Sequence, residues 1–321
     1  MTAGKVSIII PARNERHLQK TIDDLLAKAV GDVEILVVLD GYWPDPPLKD
    51  DTRVILVHRS EARGMRPAIN DAANMATGEF LMKTDAHCIF AAGYDEALKA
   101  NCDGDWLVVP TRHSIDAERW DSEGPAAAVK TRHWNYHVLT YPYLASMYGE
   151  GLHAVTFPWD LNKVVNAERR DVLVDDLMSF QGSCWFQHTA NFHRLGPLDH
   201  ENYYFYQEAQ EVGLRQWMTG GRCVLNKHTW YAHLHKGREE GRGFYLSLRR
   251  KRLSERYACD FWLNDRWPGA TRTFVSLVEQ FWPLLERMDD PRYAWPSDWR
   301  EFEKHRAAFE SRPPEQLPAH I

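Results

Sequence analysis

The chain has 321 residues, 44% of them hydrophobic, and a formal net charge of −6, enough for one large domain or two modest ones and too acidic for a protein coated overall for nucleic acid. Its five cysteines (Cys88, Cys102, Cys184, Cys223 and Cys259) are scattered without a C-x-x-C pair, which speaks against a zinc knuckle and predicts reduced thiols rather than a disulfide framework. No apolar run approaches the roughly 20 residues of a bilayer span, and no signal-peptide order opens the chain, so a soluble, cytoplasmic protein without membrane insertion is expected.

In chain order, KVSIIIP, VEILVVLD, RVILVH, EFLMKTD and WLVVP read as short strands rich in Val and Ile. Between them, ERHLQKTIDDLLAKA places Leu18, Ile22, Leu25 and Leu26 at helical spacing, and RPAINDAANMA carries Pro67 near a first turn. Strands alternating with helices predict an α/β fold with a mainly parallel, doubly wound sheet, in which ligands bind at the carboxyl ends of the strands. Asp40, Asp85 and the run Pro11-Ala12-Arg13-Asn14-Glu15 all follow strands, so the three clusters should face one crevice. No G-x-G-x-x-G follows the first strand and no G-x-x-x-x-G-K-[ST] occurs, so a dinucleotide oxidoreductase and a P-loop nucleotidase both lose support.

Residues 111–180 read as an irregular insertion rich in aromatics and histidines, shaping a pocket. SFQGSCWFQ then predicts a strand, YYFYQEAQEVGLRQWMTGG one helix ending on Gly220-Gly221, and RCVLNKHTWYAHLHK another strand. From about Gly243 the pattern is mostly helical, and the tail SRPPEQLPAHI reads as loose. The resulting division is 1–242, split into 1–110, 111–180 and 181–242, followed by a helical region 243–321. The cations Lys236, Arg238, Arg242, Arg249, Arg250, Lys251, Arg252 and Arg256 form either a solvated helix face or an anion site.

Asp85 and His87 lie two apart, so on an extended backbone both side chains point the same way and can grip one cation. A carboxylate with an imidazole suits Mn²⁺, and less specifically Zn²⁺ or Mg²⁺. An isolated D-x-H carries little weight; its place at a strand end opposite Asp40 carries more. His233 in YAHLHK offers a third ligand, with His235 its nearest competitor. Two ligands from one loop and a distant third leave coordination positions open, as a catalytic metal requires. Glu208 and Glu211 share a helix face, which is either an exposed acidic face or a catalytic edge. Trp134, Trp159 and Trp185 are stacking surfaces or packing residues.

The segments VSIIIPARNE, Asp40-Gly41, RGMRPAINDAANMATGEFLMKTD and the D-x-H resemble the nucleotide-sugar glycosyltransferases of the GT-A fold, of the broad family-2 type. The nearest likeness is to the polypeptide N-acetylgalactosaminyltransferases, whose DAHC is identical to Asp85-Ala86-His87-Cys88. Their upstream Arg corresponds to Arg66, with Arg63 the second choice. Their GGENLE helix resembles YQEAQEVGLRQWMTGG, and their GHVF strand resembles Ala232-His233-Leu234. The likeness runs over about residues 5 to 236. Tyr206-Gln207 replaces the Gly-Gly before the helical glutamate, and no lectin domain or lumenal disulfide pattern accompanies it. HLHKGREEGRG is also similar, more loosely, to tailed-bacteriophage glycosyltransferases, which would place the chain in a host cytoplasm.

The resemblance implies a UDP-sugar donor and Mn²⁺ (or Mg²⁺) held by Asp85, His87 and His233. It assigns Pro11, Ala12, Arg13, Glu15, Asp40, Arg66, Asp85 and Ala86 to the nucleotide-sugar, and Glu208, Glu211 and Arg66 to catalysis. Lys236, Arg238, Arg242 and Trp185 would contact phosphates or acceptor. Ala209 stands where inverting relatives have a general-base Asp, which favours retention. The acceptor hydroxyl would belong to a hydroxymethylated base in phage DNA or, alternatively, to a glycan, a lipid-linked sugar or a protein. A non-catalytic sugar-nucleotide-binding module is the competing class, and the oligomeric state is left open.

Overall fold

Eight consecutive buried side chains, VEILVVLD, mark a strand covered on both faces. In the computed structural model of the chain, residues 1–142, 151–236, 244–288, 295–296, 307 and 311 are described. Within the first 115 residues come β1 (Thr2–Ala12), α1 (Leu18–Lys28), β2 (Val33–Asp40), β3 (Val54–Arg59), α2 (Met65–Met75), β4 (Gly78–Thr84), β5 (Cys88–Phe90), α3 (Tyr94–Lys99) and β6 (Trp106–Ile115). The irregular stretch resolves into α4 (Ala117–Ser122), α5 (Pro125–Ala128), β7 (Val129–His133), β8 (His137–Leu139), β9 (Ala154–Thr156), α6 (Trp159–Glu168) and β10 (Val174–Asp176). Then follow β11 (Cys184–His188), α7 (Thr189–Leu195), α8 (His200–Tyr203), α9 (Glu208–Met218), β12 (Arg222–His233), α10 (Leu248–Leu263) and α11 (Phe274–Leu285).

The main sheet of the described residues runs β10-β12-β6-β11-β4-β1-β2-β3, with β5 added to β12 and β7 to β6. The pairs β3-β2, β2-β1, β1-β4 and β6-β12 are parallel, whereas β11 is antiparallel to both β4 and β6. The fold is therefore GT-A-like: a mainly parallel sheet between helical layers. Period-two alternation splits β1 and β2 between two cores. Ile9, Leu36 and Val38 face α2, α9, α10 and α11, while Ile8, Ile10, Ile35 and Val37 face α1 and α3.

One expected helix is interrupted. The YYFYQEAQEVGLRQWMTGG pattern becomes α8 and α9, separated by Tyr204 and Gln207, both with left-handed φ (53° and 60°). The break has a partner that local pattern could not show: the buried Arg66 guanidinium donates to the Tyr206 carbonyl, which a continuous helix would have kept for its own ladder.

Glu34 secures β1 and β2 beneath α2. Its carboxylate accepts from Ser7 Oγ (2.5 Å), Thr77 N (2.7 Å) and Thr77 Oγ1 (2.8 Å) and pairs with Lys5 (2.7 Å). Burial alone would raise this carboxyl, but Lys5, Ser7 and Thr77 outweigh it and bring it down to about 2 from 4.5. The folded value is the lower one, so this stabilisation is complete above about pH 5 and drains away as pH falls toward 2. We expect about 2–3 kcal/mol of stability to be lost between pH 6 and pH 2 through this group, and Glu34→Gln to flatten that slope in urea melts. Identical pH slopes in the two proteins would remove Glu34 from the account.

Candidate active site

β4 ends at Thr84 and the chain bends through Asp85-Ala86-His87 before β5. The two side chains therefore do not share a side through strand alternation, as an extended backbone would have arranged. Hydrogen bonds hold the bend instead: Asp85 N donates to Ser183 O (2.9 Å) and Leu234 N to His87 O (3.1 Å). β5 pairs antiparallel with β12 in a register that sets His233 opposite Cys88. That pairing brings the distant histidine beside the D-x-H.

The donor atoms of Asp85, His87 and His233 lie within 4.8 Å of one another. His233 Nε2 is 3.1 Å from His87 Nε2 and 3.3 Å from Asp85 Oδ2, and His87 Nε2 is 3.9 Å from Asp85 Oδ2. Ligands about 2.1 Å from one ion, at angles of 90–109°, are separated by about 3.0–3.4 Å. Two of the three separations fall in that range and the His87–Asp85 one is about 0.5 Å wider, so the set suits a divalent cation of the Mn²⁺ or Zn²⁺ type once those two donors close on it.

Outer contacts aim the donors. Glu15 Oε2 faces His87 Nδ1 at 3.2 Å, which directs that ring's Nε2 lone pair toward the cluster. Glu15 is itself paired with Lys236. Lys83 Nζ donates to Asp85 Oδ1 (2.7 Å) and to Gly182 O (2.6 Å), leaving Oδ2 for the cluster. Burial works against the Asp85 anion, but Lys83 and the two histidines hold its carboxyl well below the usual carboxylate range. His233 goes the other way, pushed down to about 3 chiefly by burial, so it is neutral and able to ligate at neutral pH.

Glu208 opens α9 next to this cluster. It accepts from Trp185 Nε1 (2.6 Å) and lies 3.7 Å from Lys83 Nζ. Burial raises its carboxyl, with Lys83 and Trp185 pulling against that rise. Gly182 makes room for it: a Cβ there would sit 2.2 Å from Glu208 Oε2. The exposed acidic face left open for Glu208 and Glu211 does not exist, since they are 6% and 1% exposed.

Of the other expected site residues, Arg66 and Trp185 are placed away from their anticipated contacts. Arg66 is fully buried and ion-paired with Glu211, and Glu211 also pairs with Arg215 and accepts from Asp199 N. The pair joins α2 to α9 from inside the core, so Arg66 presents no exposed guanidinium to phosphates. Trp185 is likewise fully buried; it positions Glu208 rather than offering a stacking face. Asp40 accepts from Arg59 Nη1 (3.2 Å), Arg63 N (2.8 Å) and Gly64 N (2.8 Å), bracing the loop that enters α2. The next residue, Gly41, has φ +77° and lies so close to Ala62 N that a Cβ would reach 2.6 Å. Pro11, Ala12, Arg13 and Glu15 follow at the end of β1, where Arg13 stacks on Phe244 at 5.1 Å, and Ala86 is buried in the bend. Arg238 and Arg242 lie outside the described residues.

Two contributors escaped the sequence reading. Lys83 looked like an ordinary strand residue, although its place two before Asp85, after the apolar Phe80-Leu81-Met82, was a signal. Arg112, on β6, reaches His235 Nε2 at 2.8 Å and His137 Nε2 at 3.5 Å, extending the polar row beyond His233.

Residues 7–157 match the family model described as Glycosyl transferase family 2. No curated protein matches the chain. Among solved structures the fold is similar to GalNAc-T7 with UDP, GalNAc and Mn²⁺, at TM-score 0.65 and 15% identity over 89% of this chain and 58% of that one. It is also similar to S. aureus TarS (TM-score 0.52, 14% identity, 89% and 44%). A third is the mannosyltransferase PcManGT from Pyrobaculum calidifontis in complex with GDP-Man and Mn²⁺ (0.50, 16% identity, 96% and 75%). The chain thus spans little more than half of the first and less than half of the second. Residues 7–157, just under half of the chain, are thus similar to glycosyl transferase family 2, and the chain carries that likeness on a GT-A-like fold.

Proposed function

We propose that this enzyme moves a sugar from a UDP-sugar to an acceptor hydroxyl in a metal-dependent reaction that retains anomeric configuration. The observation that carries the reading is the Asp85, His87 and His233 cluster, each metal-facing atom left available by the contacts around it. A bound divalent cation supplies charge to the departing diphosphate, the centre at which negative charge builds. The chain's own part is orientation. Glu15 fixes the His87 ring, Lys83 turns Asp85, and the end of β1 with Asp40 and its braced loop forms the nucleotide wall. Glu208 is held by Trp185 and Lys83 rather than by a neighbouring acid, and Ala209 offers no base; this supports attack from the face the leaving group vacates. GalNAc-T7 and PcManGT, solved with Mn²⁺ and with UDP or GDP-Man, support the metal and leave the nucleotide to experiment.

The test is release of nucleoside diphosphate from a panel of UDP-sugars and GDP-mannose, with Mn²⁺ and with EDTA. We expect UDP release that EDTA abolishes. Absence of release from every donor would favour the non-catalytic binding module. An α-linked product from an α-UDP-sugar, read from the anomeric coupling constant, is expected for retention, and a β-linked product excludes it.

A second reading of the acceptor, a hydroxymethylated base in phage DNA, has one observation in its favour. The start of α10 is cationic, with Arg249 and Arg250 exposed and Tyr245 86% exposed. Duplex affinity falling steeply with salt is the expected sign; a flat titration would dismiss DNA.

A further inference from the structure

We propose that Trp134, Arg132 and Trp159 form an acceptor subsite for an anionic group, a carboxylate or a phosphate, carried on a sugar. The inference rests on the transfer to an acceptor hydroxyl argued above, and it selects the carbohydrate branch of that reading.

The Arg132 guanidinium lies 3.7 Å from the ring centroid of Trp159 and 4.3 Å from that of Trp134. The two indoles meet at 62° with centroids 5.5 Å apart, so they form a V around the cation. Stacking fixes the guanidinium plane and leaves its N–H edge to an outside acceptor, in the planar fork that suits carboxylate and phosphate. Among the described residues this cation has ring contacts and no carboxylate partner. Lys163, 5.9 Å from the Trp159 ring, is already paired with Asp160 at 2.7 Å. Arg132 is exposed on β7, and Trp159 is 36% exposed. An indole face beside a fixed cation suits a sugar, whose C–H face packs on the ring while its charged substituent meets the fork.

The cluster also stands in the right place. β7 pairs with β6 at His133 and His113, and β6 pairs with β12 at His113 and Ala232. The β6–β7 register shifts between His113 and Ile115, so Arg132 lies in the irregular part of β7, while Trp134 follows the strand beside Arg112. Two strand spacings, about 10 Å, separate them from His233. Arg112 fills the interval: its carbonyl accepts from Trp134 N at 2.8 Å, and its guanidinium reaches His235. A short oligosaccharide with its hydroxyl at the metal cluster would lay its next unit over this V. Docking of α6 does not require the stack, because Asn135 Nδ2 already donates to Asn166 Oδ1 (2.9 Å) and Asn162 Nδ2 to His133 O (3.5 Å).

The experiment titrates glucuronic acid, glucose 6-phosphate, glucose and a ten-residue oligothymidylate into the full chain, by calorimetry and saturation-transfer NMR. Wild type and the variants Arg132→Gln and Arg132→Lys are compared. We expect at least one anionic sugar to bind about ten-fold tighter than glucose, Arg132→Gln to erase that preference, and Arg132→Lys, which keeps charge without the fork, to retain part of it. The ratio of glucuronic acid to glucose 6-phosphate affinity tells carboxylate from phosphate. Equal affinity for glucose and both anionic sugars overturns the proposal, as does a preference that survives Arg132→Gln. So does Arg132-dependent capture of the oligothymidylate alone. A lowered melting temperature with sugar affinity unchanged would make the stack a staple, and would also overturn it. Mn²⁺ and UDP affinities of wild type report the donor site separately, so failure of the earlier reading and failure of this one look different.

Discussion

Asp85→Asn and His233→Ala are each expected to lower UDP-sugar turnover by about 10³-fold, equivalent to about 4 kcal/mol of transition-state stabilisation. Each substitution weakens one of three converging donors, and in the proposed reaction a cation held there would set its charge against the leaving diphosphate. The two variants should differ in a second measurement. Asn at 85 leaves Lys83, 1% exposed at its side chain, without its nearest counter-charge and with Glu208 at 3.7 Å as its remaining one, so this variant should also unfold at lower urea. Ala at 233 removes a neutral ring and should cost less stability. Mn²⁺ binding followed by electron paramagnetic resonance should weaken in both. Turnover within a few-fold of wild type in both variants would end the metal assignment.

Glu211→Ala is expected to be the most destabilising single change at the site, by about 3–5 kcal/mol. Glu211 is 1% exposed and pairs with Arg66, which is fully buried and lies over the Tyr203 ring at 4.7 Å, and with Arg215. Removing the carboxylate leaves a guanidinium in the core with ring and carbonyl contacts but no anion, and the remaining charge is costlier than the lost pair is favourable. It also releases the Tyr206 carbonyl geometry on which the α8–α9 break depends. Urea melts at neutral pH would read the loss. A change below about 1 kcal/mol would show that water or rearrangement serves Arg66 as well as Glu211 does.

The order of strands and helices in the first 115 residues was legible because both signals are local. Runs of Val and Ile bounded by turn residues, and apolar positions at helical spacing, survive in any tertiary setting. Asp85 and His87 were legible for the same reason, as a polar interruption where an apolar strand ends. Arg66 illustrates the opposite case. The resemblance assigns it to the nucleotide-sugar, and only the arrival of Glu211 from 145 residues away shows it consumed in the core. Trp185 is similar, its indole spent on Glu208.

The amino-acid sequence by itself determined the alternating α/β architecture, the polar clusters at the strand ends and the pairing of Asp85 with His87, and it offered His233 as the third donor with His235 as its rival, because periodicity and strand-end position are properties of contiguous residues. The tertiary structure alone decided the third donor's seat, through the β5–β12 register that sets His233 opposite Cys88. It alone decided that Lys83 turns Asp85 and faces Glu208, and that Arg132 is caught between two tryptophans. Those relations join residues far apart in the chain or on opposite sides of a bend, and a distance across space is set by packing and strand pairing, which no window of neighbouring residues contains.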